Sequence, residues 1–128
     1  QTEGIRNIIS AMTTQGVKRL ISLTGAGVKV SGDHPRILDR LMTKALSIVS
    51  PARIRDGINH VAEIQKTNLD WTIVRTPLQL QAPYSGKYHV GMVGDPQLSF
   101  KVNRGDIADF ILNTVESGSH IHQYPVLG

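Results

Sequence analysis

The sequence predicts an α/β fold, a parallel sheet covered by helices, and three observations carry that prediction. Apolar residues at helical spacing run straight into a short apolar strand near the start of the chain. The same order recurs further on, where two helical stripes precede a second short strand. Both strands end in small or turn-forming residues, as parallel strands do when crossover helices connect them.

Ile5, Ile8, Ile9 and Met12 mark one face of a helix over residues 2–15, with Thr2 as its N-cap and Gly16 as its terminating glycine. Residues 17–23 follow as a strand interrupted only by Lys18, Arg19 and Ser22, a pattern expected of a strand buried on both faces. After a loop over 24–35, the stripe Ile37, Leu38, Leu41, Met42, Ala45, Leu46 and Val49 predicts a second helix, stopped by Pro51. A third helix is expected over 53–67, burying Ile54, Ile58, Val61, Ala62 and Ile64. Asn68, Leu69 and Asp70 turn the chain into a strand over 71–75, closed by Pro77, with Trp71 in the core. Beyond it the pattern predicts short strands over 87–93 and 98–102 around the turn Gly94-Asp95-Pro96, a helix over 106–115 and a last strand over 124–127.

At 128 residues, with 40% hydrophobic and 19% charged side chains, the sequence is expected to form a single domain over 1–128. No apolar run reaches about 18 residues, so no membrane partner is expected. The net charge of +4 is spread along the chain with few aromatics interleaved, which argues against nucleic acid as a partner. Without cysteine there is no disulfide, thiolate metal site or cysteine nucleophile, and the cytoplasm is the expected compartment. His120 and His122 lack a third ligand nearby in sequence, so no metal is expected. His60, among Ile58, Val61 and Ala62, reads as a packed structural histidine. Arg104-Gly105-Asp106 reads as a loop entering a helix whose first turn Asp106 favours.

Ligands of such sheets rest beyond the carboxyl ends of the strands, here Leu23-Thr24-Gly25 and Val74-Arg75-Thr76-Pro77. The Gly25-x-Gly27 pair is not a pyrophosphate turn. Its third glycine position holds Val30, no helix follows at once, and Asp39 lies within a helical stripe rather than at a strand end.

The segment GVKRLISLTGAGV, preceded by GIRNIISAM and followed by LDWTIVRTP and NRGDIADFIL, resembles the atypical, NAD(P)H-binding branch of the short-chain dehydrogenase/reductase superfamily. That group includes NmrA-like and flavin/biliverdin reductase-like proteins, and the resemblance covers nearly the whole chain. It implies a Rossmann-like sheet with flanking helices, of which this chain is the carboxyl-terminal part, lacking the N-terminal strands and the glycine-rich turn. A missing N-terminal portion, or another chain, is then expected against the strand over 17–23, which would otherwise present an open apolar edge.

By the same resemblance, Thr24, Gly25 and Ala26 pass the nicotinamide ribose, and Thr76, Pro77 and Leu78 meet the carboxamide edge of a bound NADP or NAD, with NADP favoured. His34, Tyr84 and Tyr88 are the residues expected to wall a substrate pocket. The superfamily's Tyr-x-x-x-Lys pair is absent, its two places being held by Arg53 and Gly57, and Thr24 is the hydroxyl left as a catalytic candidate. The implied activity is hydride transfer to a small planar, quinone-like or carbonyl acceptor. The alternative is an NADP(H)-sensing regulator without turnover, acting on a protein partner as NmrA-like members do.

Overall fold

The computed structural model describes residues 1–128, apart from the side chains of Met42 and Leu46. Helix α1, Thr2–Gln15, has the expected bounds, because Gly16 adopts the left-handed conformation (φ 69°) and its N–H closes on the Met12 and Thr13 carbonyls. Its start differs from expectation. Thr2 is the first helical residue rather than the cap, and the Asp56 carboxylate accepts its N–H (3.0 Å) and its hydroxyl (2.6 Å) from a neighbouring helix.

Strand β1, Arg19–Gly25, begins two residues later than the sequence suggests and runs two residues further, through Gly25. It is half-buried, and Val17 before it is 49% exposed. The physical reason is its place in the sheet: among the described residues β1 pairs on one side, with β2, Asp70–Thr76. Those two strands run parallel in register from Arg19 opposite Asp70 to Gly25 opposite Thr76. β2 in turn lies parallel to β6, Val126–Leu127, which pairs antiparallel with β4, Val90–Gly91, giving the order β1-β2-β6-β4. A separate parallel pair joins β3, Leu78–Leu80, to β5, Lys101–Asn103.

Between β1 and β2 stand α2, Ile37–Val49, and α3, Pro51–Gln65. Proline at the first position of α3 starts that helix two residues ahead of expectation, since a ring without an N–H costs nothing there. α3 and α1 pack together on one face of the sheet, where Ile5, Leu20, Val61, Ile64, Trp71 and Ile73 form one core. On the other face Val74, Val102, Phe110 and Leu127 form a second core with Ile107 of α4, Arg104–Ser117. Trp71 is buried, with the His122 and Tyr124 rings 5.1 Å from its own.

The expected burial of the α2 stripe is not what forms. Ile37 is 78% exposed, Leu41 60% and Val49 79%, because α2 packs against α3 and stands away from the sheet. Met42 and Leu46 of that stripe lie outside the described residues. Ile58 also faces outward on α3. The strands expected over 87–93 and 98–102 shrink to β4 and β5, and β3 was not anticipated. No helix is long and apolar enough to cross a membrane among the described residues.

Candidate functional site

Parallel pairing brings the carboxyl ends of β1 and β2 side by side, and the Ala26 N–H donates to the Thr76 carbonyl (2.8 Å), tying the two exit loops together. Beyond those ends opens a cavity of about 590 Å³. Gly25, Ala26 and Gly27 line it from the β1 loop, and Thr76, Pro77 and Leu78 from the β2 side. At Gly25 nothing stands within 4 Å of where a Cβ would be, so the bare backbone there faces open space that a flat ring can approach. Ile54, Leu98, Phe100 and Val126 make the wall mostly apolar.

The charged groups of the cavity come from the helices. Arg36 grips Asp39 through Nε (3.1 Å) and lies 5.7 Å over the Phe100 ring, and that grip holds the Asp39 carboxyl below its ordinary range. Arg53 reaches the cavity from α3 and has no ion-pair partner among the described residues. One turn along from Arg53, a Cβ on Gly57 would stand 2.8 Å from Val28 Cγ2 and 3.3 Å from Thr24 Oγ1. The β1 loop is packed directly onto the helix, which leaves no room for a side chain.

A buried ion pair holds that loop in place. The Arg75 guanidinium, fully buried at the end of β2, bonds Asp33 Oδ2 (2.8 Å), the Val28 carbonyl (3.3 Å) and the Tyr124 carbonyl (3.0 Å). Asp33 Oδ2 also accepts the Val30 N–H (3.0 Å). In the sequence Arg75 reads only as part of a strand end; a lone cation inside an apolar strand is the signal that marks it, whereas its partner Asp33, in a polar loop, carries no comparable one.

Of the residues expected at the site, Gly25, Ala26, Thr76, Pro77 and Leu78 converge on this cavity. Thr24 does not line it, being buried beneath the wall on the α3 side. His34, Tyr84 and Tyr88 do not line it either. The His34 backbone carries the contact instead: its N–H donates to the Val93 carbonyl (3.1 Å), and its carbonyl fills the space beside Gly94, whose φ of 104° suits only glycine. Tyr84 is 59% exposed. Tyr88 donates its hydroxyl to Asp109 (2.9 Å); burial and that carboxylate push its pKa up to about 12, which makes it a poor proton donor.

His60 is the packed histidine that was expected, buried, 2.7 Å from Ser22 Oγ and not part of the cavity wall. His120 and His122 sit in a turn with positive φ, not on one side of a strand, and bond Gln123 and the Leu69 carbonyl. The residues sequence reasoning missed, Arg36, Thr43 and the 93–100 segment, come from loops and from α2, whose placement against the strand ends only the fold determines.

Solved structures share this architecture. A short-chain dehydrogenase/reductase from Veillonella parvula, crystallised with NADP, superposes with a TM-score of 0.79 at 18% identity, covering 100% of this chain and 58% of that one. The anaerobillin reductase ChuY of Escherichia coli O157:H7 gives 0.75 at 19% identity, covering 95% of this chain and 55% of that one. This chain thus spans a little over half the length of these structures, and at such identity the likeness is one of fold, a Rossmann-like fold. Among curated proteins none matches the sequence. The family model that matches is described as NAD(P)H-binding and spans residues 1–117, so the chain belongs to the NAD(P)H-binding family.

Proposed function

We propose that this protein is an NADPH-dependent oxidoreductase that reduces a small planar acceptor, quinone-like or carbonyl, at the strand-end cavity. The observation that carries the reading is the convergence of residues 25–27 and 76–78 on one mostly apolar cavity with a bare glycine backbone at its wall. When bound, the nicotinamide supplies the hydride; the protein supplies position and electrostatics.

Gly25 and Ala26 offer main chain to the face of a ring, while Thr76 and the residues after it offer polar atoms to its amide edge. Arg53 has no role as a proton donor, since a guanidinium stays protonated; it attracts negative charge that develops on an acceptor oxygen, and the proton comes from water. The neighbour crystallised with NADP supports the phosphorylated cofactor over NAD. The cysteine-free sequence supports a cytoplasmic setting. On the same reading, the open edge of β1 is covered by further chain.

A second reading has a specific observation behind it. Arg53 and Gly57 replace the superfamily's acid/base pair, which suits a regulator that binds NADP(H) and signals to a protein partner without turnover. Following NADPH fluorescence on binding to the full-length protein, and its absorbance with a panel of quinones, flavins and aldehydes, separates the two. Binding with oxidation by any acceptor supports the reductase; binding with none supports the regulator. Absence of NADPH binding overturns both.

A further inference from the structure

The buried Arg75 guanidinium carries five N–H groups, and there is an acceptor for each. Nε donates to the Tyr124 carbonyl (3.2 Å), Nη1 to Asp33 Oδ2 (2.8 Å) and the Val28 carbonyl (3.3 Å), and Nη2 to the Tyr124 carbonyl (3.0 Å). The fifth acceptor is the odd one, Met92 Sδ, 3.9 Å from Nη2. A thioether accepts weakly, yet here it faces a fully buried cation whose other bonds all go to oxygen. That separation is about 1 Å longer than a hydrogen bond to oxygen, so an oxygen atom carried on the sulfur would fill it. Both ends of the thioether are located, since Met92 Cε lies 4.0 Å from where a Cβ on Gly32 would stand. Met12, packed against the first core, has no N–H donor at its sulfur among the described residues.

We propose that Met92 is a reversible oxidation site, whose sulfoxide oxygen replaces the sulfur as the fifth acceptor of Arg75. The oxidant is hydrogen peroxide. The side chain swings away from the guanidinium and its sulfur lone pair attacks one peroxide oxygen. The O–O bond breaks as the S–O bond forms, sulfur is oxidised, and the other oxygen leaves as water with both hydrogens. On its return the side chain offers a strong, charge-assisted acceptor in place of a weak one. What singles out Met92 is this donor against its sulfur rather than its exposure. The consequence reaches a cavity wall. Met92 begins a turn in which its carbonyl accepts the Asp95 N–H (3.0 Å), and Val93, Gly94 and Asp95 of that turn line the strand-end cavity. Oxidation therefore ties that wall more firmly to the end of β2, and enzymes that reduce methionine sulfoxide undo it.

The full-length protein is treated with hydrogen peroxide, and peptide mass spectrometry follows Met92. The two sulfoxide epimers are then told apart by the two epimer-specific reductases. A side chain held by Arg75 is expected to carry mainly one epimer, so that one enzyme restores Met92 and the other leaves it. No oxygen on Met92 under conditions that oxidise free methionine, or equal restoration by the two enzymes, overturns the proposal. Two variants give a readout free of other methionines: Met92→Gln, whose amide oxygen stands on a side chain of similar length, and Met92→Leu, which has no acceptor. Met92→Gln is expected to unfold at a urea midpoint about 0.5 M above that of Met92→Leu, and the gap is expected to close in an Arg75→Lys background. Equal midpoints with Arg75 in place, or a gap that survives its replacement, overturns the proposal. None of these readouts uses NADPH or an acceptor, so failure of the reductase reading leaves them standing.

Discussion

Gly57 shows how one position decides what a helix can offer. Alanine is a better helix former by about 1 kcal/mol, yet its Cβ would meet Val28 Cγ2 at 2.8 Å. Over-packing of that kind costs about 1–3 kcal/mol, so Gly57→Ala is expected to lower the urea midpoint. His60 makes a second test. Burial pushes its pKa below the ordinary value, and its Nδ1 has no partner among the described residues, so the folded protein holds the neutral ring. The unfolded chain then takes up the proton first. Stability is therefore full above about pH 6.5 and declines as pH falls through that value. Urea unfolding at a series of pH values should show a shallower acid decline in His60→Gln than in the unaltered protein; equal slopes would remove His60 from the account. Neither effect was visible in the sequence, which showed an apolar neighbourhood for His60 but not the serine beneath it.

Among elements, those whose ends carry chemical punctuation were legible. Gly16 closes α1, and the strand exits at Gly25 and Pro77 mark in the sequence where the cavity opens. Amphipathic pattern alone was less informative: α2 has an apolar stripe as regular as that of α3, but only α3 is pressed against the sheet. Strands of two or three residues, such as β4 and β6, owe their existence to a partner across the sheet, so no local pattern specifies their limits. β1 offers the element-scale prediction. Covered by further chain, its amides should all exchange slowly with deuterium; an alternation of slow and fast amides along residues 19–25 would mean that one side of the strand stays open.

For the molecule as a whole, the Arg75 guanidinium is the crossing point of segments distant in sequence: the loop at Val28 and Asp33, the strand it belongs to, and the Tyr124 stretch before β6. Taking away one partner of a buried pair strands the other, at about 3–5 kcal/mol. Arg75→Met is expected to lose that much in urea unfolding, and adding Asp33→Asn to recover part of it. If the double variant is no more stable than the single one, the pair is not what secures the loop. The parallel α/β plan followed from the order of elements, whereas this long-range tie did not, since nothing in a linear sequence matches a lone arginine to one of many aspartates.

Because the His34 carbonyl occupies the space beside Gly94, a side chain at that position would prise the loop after β1 away from the segment before β5. The bare glycine acts as a latch. Gly94 lines the strand-end cavity, so a methyl group there would reshape the wall while leaving every polar group in place, and the change would register in ligand fit before it registered in chemistry.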